Sequence, residues 1–223
     1  MSHLLVFDLD GTLIDSRRDL ADSTNDVLES YGADALPVER ITSMVGEGAR
    51  VLVARALEAA GLDAPVPEAL DRFRLAYDRR LVQHTRPYEG IPELLDHLAG
   101  RALLAVLTNK PEAPTERLLE AFSLRSRFRW VIGGDSTFLR KPDPAGLDHL
   151  IARAGVPRAR VLFVGDSMID VDTARRAGVR LCAVLYGFGR ARGDLVLDPA
   201  DLRADSPREL ATVLETWLAS PAG

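Results

Sequence analysis

Short apolar runs, each ending in a cluster of polar residues, set the limits on how this chain can fold. They lie at Leu4–Phe7 and at residues 102–107, 130–132 and 161–164, and a fifth follows at 181–185. Runs of this length without polar alternation read as strands covered on both faces, the condition of a parallel sheet. Between them, from residue 86 onward, apolar residues recur at helical spacing: Leu94, Leu95 and Leu98; Leu118, Leu119 and Phe122; Leu147, Leu150 and Ile151; Val171, Ala174 and Ala177. Strands alternating with helices predict an α/β core, a Rossmann-like parallel sheet with helices on both faces. Residues 195–197 predict one more short strand, and Leu210, Val213, Leu214 and Trp217 a closing helix.

One stretch breaks this rhythm. Ser16-Arg17-Arg18-Asp19 has the spacing of a capping box, and Leu20, Thr24, Val27, Leu28 and Tyr31 follow on one helical face, stopped by Gly32. Further helices are expected over residues 37–43, 49–60 and 67–83, the last carrying Leu70, Phe73, Tyr77 and Leu81 on one face. No strand pattern appears between Ser16 and Thr85. Residues 16–85 are therefore expected to form an inserted all-helical domain, with 1–15 and 86–223 as the core. The connections near Asp15-Ser16 and Arg86-Pro87 are the expected hinges. An insert of this length is about the size at which a small bundle supports itself.

Composition removes several classes of function. A net charge of -5 and a pI near 5.4 argue against a nucleic-acid-binding surface. Cys182 is the only cysteine, so no intramolecular disulfide forms, and its apolar neighbours predict a buried thiol. Neither a basic leader nor a long apolar stretch is present, so cytoplasmic residence without membrane contact is the expectation. His3, His84, His97 and His149 are scattered and form no metal pattern.

Chemistry in such sheets collects at the carboxyl ends of the strands. The first ends in Asp8-Leu9-Asp10-Gly11-Thr12. With a period of two, both carboxylates leave the backbone on one side. Two like charges that close need a cation or a shared proton. A hard cation such as Mg²⁺ suits them, with one carboxylate as nucleophile and the other as acid/base. Gly11 permits a sharp turn whose N–H groups can hold an anion. The second strand ends in Thr108-Asn109-Lys110, where a hydroxyl and an amide can donate to phosphate oxygens, or simply start a helix before Pro111. Lysine occurs only at Lys110 and Lys141. Lys141, in the loop after the third strand, reads as a phosphate clamp, and Lys110 as an exposed residue. The fourth strand ends in Gly165-Asp166-Ser167, and Asp170 lies one helical turn on from Asp166. Four aspartates, a lysine and a Thr-Asn pair on one sheet edge suggest a Mg²⁺-dependent phosphoryl-transfer site.

These motifs, DLDGT, LTNK, the lysine of KPDP and GDSMID in that order, resemble those of the haloacid dehalogenase-like superfamily of phosphatases, and the helical insert resembles its small α-helical cap. MVGEGARVLVARAL, FRWVIGGDSTFLRKPDP and the YGFG loop are most similar to bacterial phosphoglycolate phosphatases. The resemblance implies that Asp8 attacks phosphorus and that Asp10 serves as acid and then base. It implies that Mg²⁺ sits among Asp8, the Asp10 backbone carbonyl and Asp166, with Asp170 behind them. Thr108, Asn109, Lys141 and the N–H groups near Gly11 are then expected to hold the phosphoryl oxygens. Gly46-Glu47-Gly48 resembles a substrate-specificity loop, with Arg50 the nearest partner for a substrate carboxylate; relatives often carry asparagine at Glu47, and an acid there suits an anionic substrate poorly. The implied reaction is hydrolysis of a small phosphate ester, 2-phosphoglycolate first, by a monomer or homodimer. An amino-sugar phosphate, pyrophosphate, a β-phosphoglucomutase-like transfer or a non-catalytic binding role are the alternatives. A phosphonate hydrolase is excluded, because it needs a cap lysine and none lies between Ser16 and Arg86.

Overall fold

A computed structural model describes residues 3–189, 193 and 195–220. Six strands form one sheet in the order β5-β4-β1-β6-β7-β8: β1 (Leu4–Phe7), β4 (Leu103–Leu107), β5 (Trp130–Ile132), β6 (Val161–Gly165), β7 (Arg180–Val184) and β8 (Leu202–Ala204). Every neighbouring pair is parallel, and β1 lies between β4 and β6, with Leu4 opposite both Leu103 and Val161.

Both faces of the sheet are covered, as the unbroken apolar runs require. Leu5 and Phe7 point into one cluster with α5 (Ile91–Leu98), α6 (Glu112–Ala121) and α9 (Pro207–Ala219). Leu4 and Val6 point into the other with α7 (Ala145–Ala154) and α8 (Met168–Arg176). Phe7 and Phe163 are fully buried on opposite faces. Burial of a side chain that size contributes roughly 1.5–3 kcal/mol.

The insert holds four helices, α1 (Arg17–Ser30), α2 (Val38–Thr42), α3 (Ala49–Ala59) and α4 (Val66–Arg80). Val27 and Leu28 of α1, Leu52 and Leu57 of α3, and Leu70 and Phe73 of α4 belong to one buried cluster. Phe73 and Tyr77 stack at 5.6 Å along α4, as their four-residue spacing allows.

Two expectations are corrected, and one element was not foreseen. Residues 195–197 form no strand; the sheet edge is β8, pairing Cys182 with Leu202. A two-stranded antiparallel ribbon, β2 (Ile14–Asp15) with β3 (Arg86–Pro87), escapes the sequence pattern and joins the two hinge segments. Ser16 and Asp19 make no capping box. The Ser16 hydroxyl donates to Asp10 Oδ1 at 2.5 Å. Asp19, fully buried, accepts from the backbone N–H groups of His84 and Thr85 and from the Thr85 hydroxyl, at 2.7–3.0 Å.

Candidate active site

The Asp8 N–H donates to the Val164 carbonyl at 2.9 Å, continuing the β1–β6 ladder one residue past β1. That bond fixes Asp8 at the sheet's carboxyl edge. The chain then folds tightly, with the N–H groups of Thr12, Leu13 and Ile14 all directed at the Leu9 carbonyl. Gly11 has φ +87°, and a Cβ there would collide with the Asp166 carboxylate. Glycine is required by both the backbone and the neighbour. The Gly11 N–H, expected to hold an anion, donates instead to the Ile14 carbonyl at 2.9 Å. Gly11 makes room for Asp166; its own N–H is spent in the turn.

Lys141, 5% exposed, lies at the centre of the acidic cluster. Its Nζ is 2.8 Å from Asp8 Oδ1 and 2.6 Å from Asp170 Oδ1, and stands 5.4 Å above the Phe163 ring. Burial opposes its charge, but Asp170 and Asp8 outweigh burial and hold its pKa above the ordinary lysine value. Asp170 is saturated: Oδ2 accepts from the Asp166 and Ser167 N–H groups and the Ser167 hydroxyl, completing a capping box on α8. Asp166 Oδ2 accepts from the N–H groups of Phe188 and Gly189 at 2.6 and 3.0 Å, so the YGFG loop braces it from behind.

Oxygens of Asp8, Asp166 and Asp170 lie within 4.8 Å of one another. Burial, and then the charges of Asp170 and Asp8, push Asp166 well above the ordinary carboxylate range. Burial and Asp170 push Asp8 up to about 6 against the pull of Lys141. Three carboxylates against one ammonium leave negative charge in excess, which a hard oxygen-seeking cation would balance. The donor set fits such an ion, with Asp8 and Asp166 as its carboxylates and Asp170 holding the loop and Lys141 behind them.

The Asp10 carboxylate stands outside this group and borders the cavity above it. Its oxygens are 3.1 and 3.0 Å from Lys110 Nζ, and Ser16 adds its hydroxyl. Lys110, expected to be exposed, is 7% exposed and lies 4.6 Å from the Tyr77 ring centroid. Burial disfavours its charge; Asp10 and Tyr77 restore it and raise its pKa. The signal was available: lysine scarcity marks Lys110 as much as Lys141, but its cover comes from α4, thirty residues away in sequence.

Thr108 is buried, its hydroxyl accepting from the Lys110 N–H at 3.2 Å. The Asn109 amide donates to the carbonyls of Gly46 and Lys141, both at 2.9 Å. That amide, expected to hold phosphate, latches the cap loop to the core in this arrangement. Gly46, Gly48 and Arg50 border a cavity of about 280 Å³ that reaches down to Asp8 and Asp166. Glu47 does not border it and pairs with Arg55 at 2.6 Å, so no acid confronts an anion in the cavity from that position. The cavity is roofed by Leu52, Leu70, Phe73 and Tyr77.

Known proteins are similar to this chain over most of its length. A phosphoglycolate phosphatase from Pseudomonas syringae pv. tomato is 40% identical over 218 residues, 95% of this chain and 80% of the relative. One from Rhodospirillum rubrum is 41% identical over 198 residues, 85% of this chain and 82% of the relative. The crystal structure of a predicted phosphoglycolate phosphatase from Haemophilus somnus superposes with a TM-score of 0.86 at 29% identity, covering 96% of this chain and 98% of that one. The family model described as haloacid dehalogenase-like hydrolase matches residues 5–184, a span that includes Asp8, Lys141 and Asp166. This chain belongs to the haloacid dehalogenase-like hydrolase family.

Proposed function

We propose that the protein hydrolyses phosphate monoesters with Mg²⁺, and that its substrate is 2-phosphoglycolate, cleaved to glycolate and inorganic phosphate. The observation that carries this reading is the meeting of Asp8, Asp166 and Asp170 at the floor of a cap-covered cavity, with Lys141 between Asp8 and Asp170. The naming of relatives at about 40% identity supports the choice of ester.

Asp8 attacks phosphorus through a carboxylate oxygen; the ester P–O bond breaks and the leaving alkoxide takes a proton from Asp10. A water then attacks the aspartyl-phosphate, returning a proton to Asp10 as the P–O bond to Asp8 breaks. Lys141 orients the Asp8 carboxylate and keeps positive charge beside it. Bound Mg²⁺, held by Asp8, Asp166 and the Asp10 backbone carbonyl, supplies charge neutralisation at the phosphoryl group. The Leu52, Leu70 and Phe73 roof excludes bulk water.

The test is phosphate release from a panel of esters by purified protein, with Mg²⁺ and with EDTA. The panel includes 2-phosphoglycolate, an amino-sugar 6-phosphate and pyrophosphate, and a hexose 1-phosphate arm scores mutase product. Fastest turnover of 2-phosphoglycolate, lost in EDTA and in Asp8→Asn, is the expected result. Wild-type rates in Asp8→Asn refute the chemistry, and preference for another ester refutes the substrate.

A further inference from the structure

Accepting 2-phosphoglycolate as substrate leaves its carboxylate to be bound, and the acidic floor of the site is the wrong place for it. We infer that Arg140, on the core side of the cavity, receives that carboxylate and is a specificity-determining residue for esters with an anionic leaving group. The inference rests on the proposed function above.

Arg140 directly precedes Lys141 and points elsewhere. Lys141 reaches Asp8, whereas Arg140 lines the cavity where core meets cap. Its Nε donates to the Gly134 carbonyl at 2.6 Å. Gly134 is itself wedged: its N–H donates to the Lys110 carbonyl at 2.8 Å, and a Cβ there would collide with the Asn109 backbone. The guanidinium is therefore hung from a rigid piece of the catalytic edge. Across the seam, Nη1 stands 3.0 Å from where a Cβ on Gly48 would be, so it faces the cap loop that Asn109 latches.

An arginine has five N–H donors, and Nε uses only one here. Among the described residues no carboxylate pairs with Arg140. The contrast with its neighbours is informative. Arg74 and Arg117 also border the cavity, but Asp71 and Asp78 neutralise them. Arg55 is paired with Glu47. Arg50, on the cap side, likewise has no carboxylate partner among the described residues. A planar fork of donors, pre-anchored and without a carboxylate of its own, matches a carboxylate bidentately. Its pairing with substrate would form as the cap seats, since Gly48 stands against it.

Steady-state phosphate release is measured for the wild type, Arg140→Ala and Arg140→Lys, with 2-phosphoglycolate and with ethyl phosphate, which has the same carbon chain without the carboxylate. Loss of a charged hydrogen-bonded contact predicts a KM for 2-phosphoglycolate raised about 10- to 100-fold in Arg140→Ala. kcat should change little, the mark of a contact made equally in ground and transition states. Arg140→Lys should recover part of the loss, and ethyl phosphate kinetics should stay within about twofold of wild type. An unchanged KM for 2-phosphoglycolate overturns the inference, as does an equal loss on both esters, which would mark a structural role. Wild-type protein that cleaves ethyl phosphate but not 2-phosphoglycolate overturns the substrate reading itself, and the inference with it.

Discussion

Replacing Lys141 with methionine keeps the stem and removes the charge, which makes it the sharpest probe of the acidic cluster. Lys141 Nζ lies within 2.8 Å of Asp8 and 2.6 Å of Asp170, and both acids are buried. Removing one partner from a buried ionic group strands the others, at a cost of about 3–5 kcal/mol. In a chain of this size each kcal/mol moves Tm by about 2–4 °C, so a drop of roughly 6–20 °C is expected. The pH dependence carries more information. The folded protein holds Asp8 at about 6, above the ordinary carboxylate value, so the folded state binds the proton more tightly than the unfolded chain. Stability therefore falls as pH rises from the ordinary carboxylate range through 6. In Lys141→Met the folded Asp8 pKa rises further, so the decline continues to higher pH. Lys141, with its pKa raised, stays charged across this window in the wild type. The deficit of the variant should thus be smallest near pH 5 and grow toward pH 8. Urea and thermal unfolding in EDTA at several pH values measure it. A deficit that is constant, or that shrinks as pH rises, refutes the electrostatic account.

Two further outcomes follow from the seam between core and cap. Lys110→Met should lower kcat about tenfold or more with little change in KM, because Asp10 loses the group that positions it and general acid–base catalysis contributes about 10²- to 10⁴-fold; an unchanged kcat shows that the pair is only structural. Asn109→Ala removes both hydrogen bonds of the latch, each worth about 0.5–1.5 kcal/mol. Hydrogen exchange of residues 44–49 should accelerate with the sheet unaffected, and protection equal to wild type removes the latch from the account.

Where the sequence pattern spoke clearly, it did so because one physical demand left one solution. Leu5 and Phe7 enter one cluster and Leu4 and Val6 the other, as a strand covered on both sides must arrange them. Asp8 and Asp166 needed only the rule that strand ends share an edge, and Lys141 the scarcity of lysine besides. The misreadings have a common origin in contacts made across the chain. Ser16-Arg17-Arg18-Asp19 is locally a good capping box, but the ribbon brings Asp10 to Ser16 and Thr85 to Asp19, and those partners win. Lys110 reads as surface until α4 lays Tyr77 over it. Residues 195–197 and Leu202–Ala204 are equally short, and the second, with Arg203 at its centre, is the less apolar of the two. Only the second leads directly into α9, whose Leu210 and Leu214 pack in the same cluster as Ala204. Glu47 is neutralised by Arg55, eight positions on, a pairing that follows from the path into α3 and from no short-range spacing.

The β2–β3 ribbon bears on how the core and the helical insert are held together. Both crossings of the polypeptide run side by side there, Ile14 against Pro87 and Asp15 against Arg86, and Asp19 clamps the incoming crossing to the outgoing one. A pair of bonded strands flexes across its flat face and resists sliding lengthwise, much as a strap does. A swing of the helical insert about that ribbon is the motion such a pairing would leave open. The contacts the ribbon keeps in alignment are Tyr77 over Lys110 and Gly48 against Arg140.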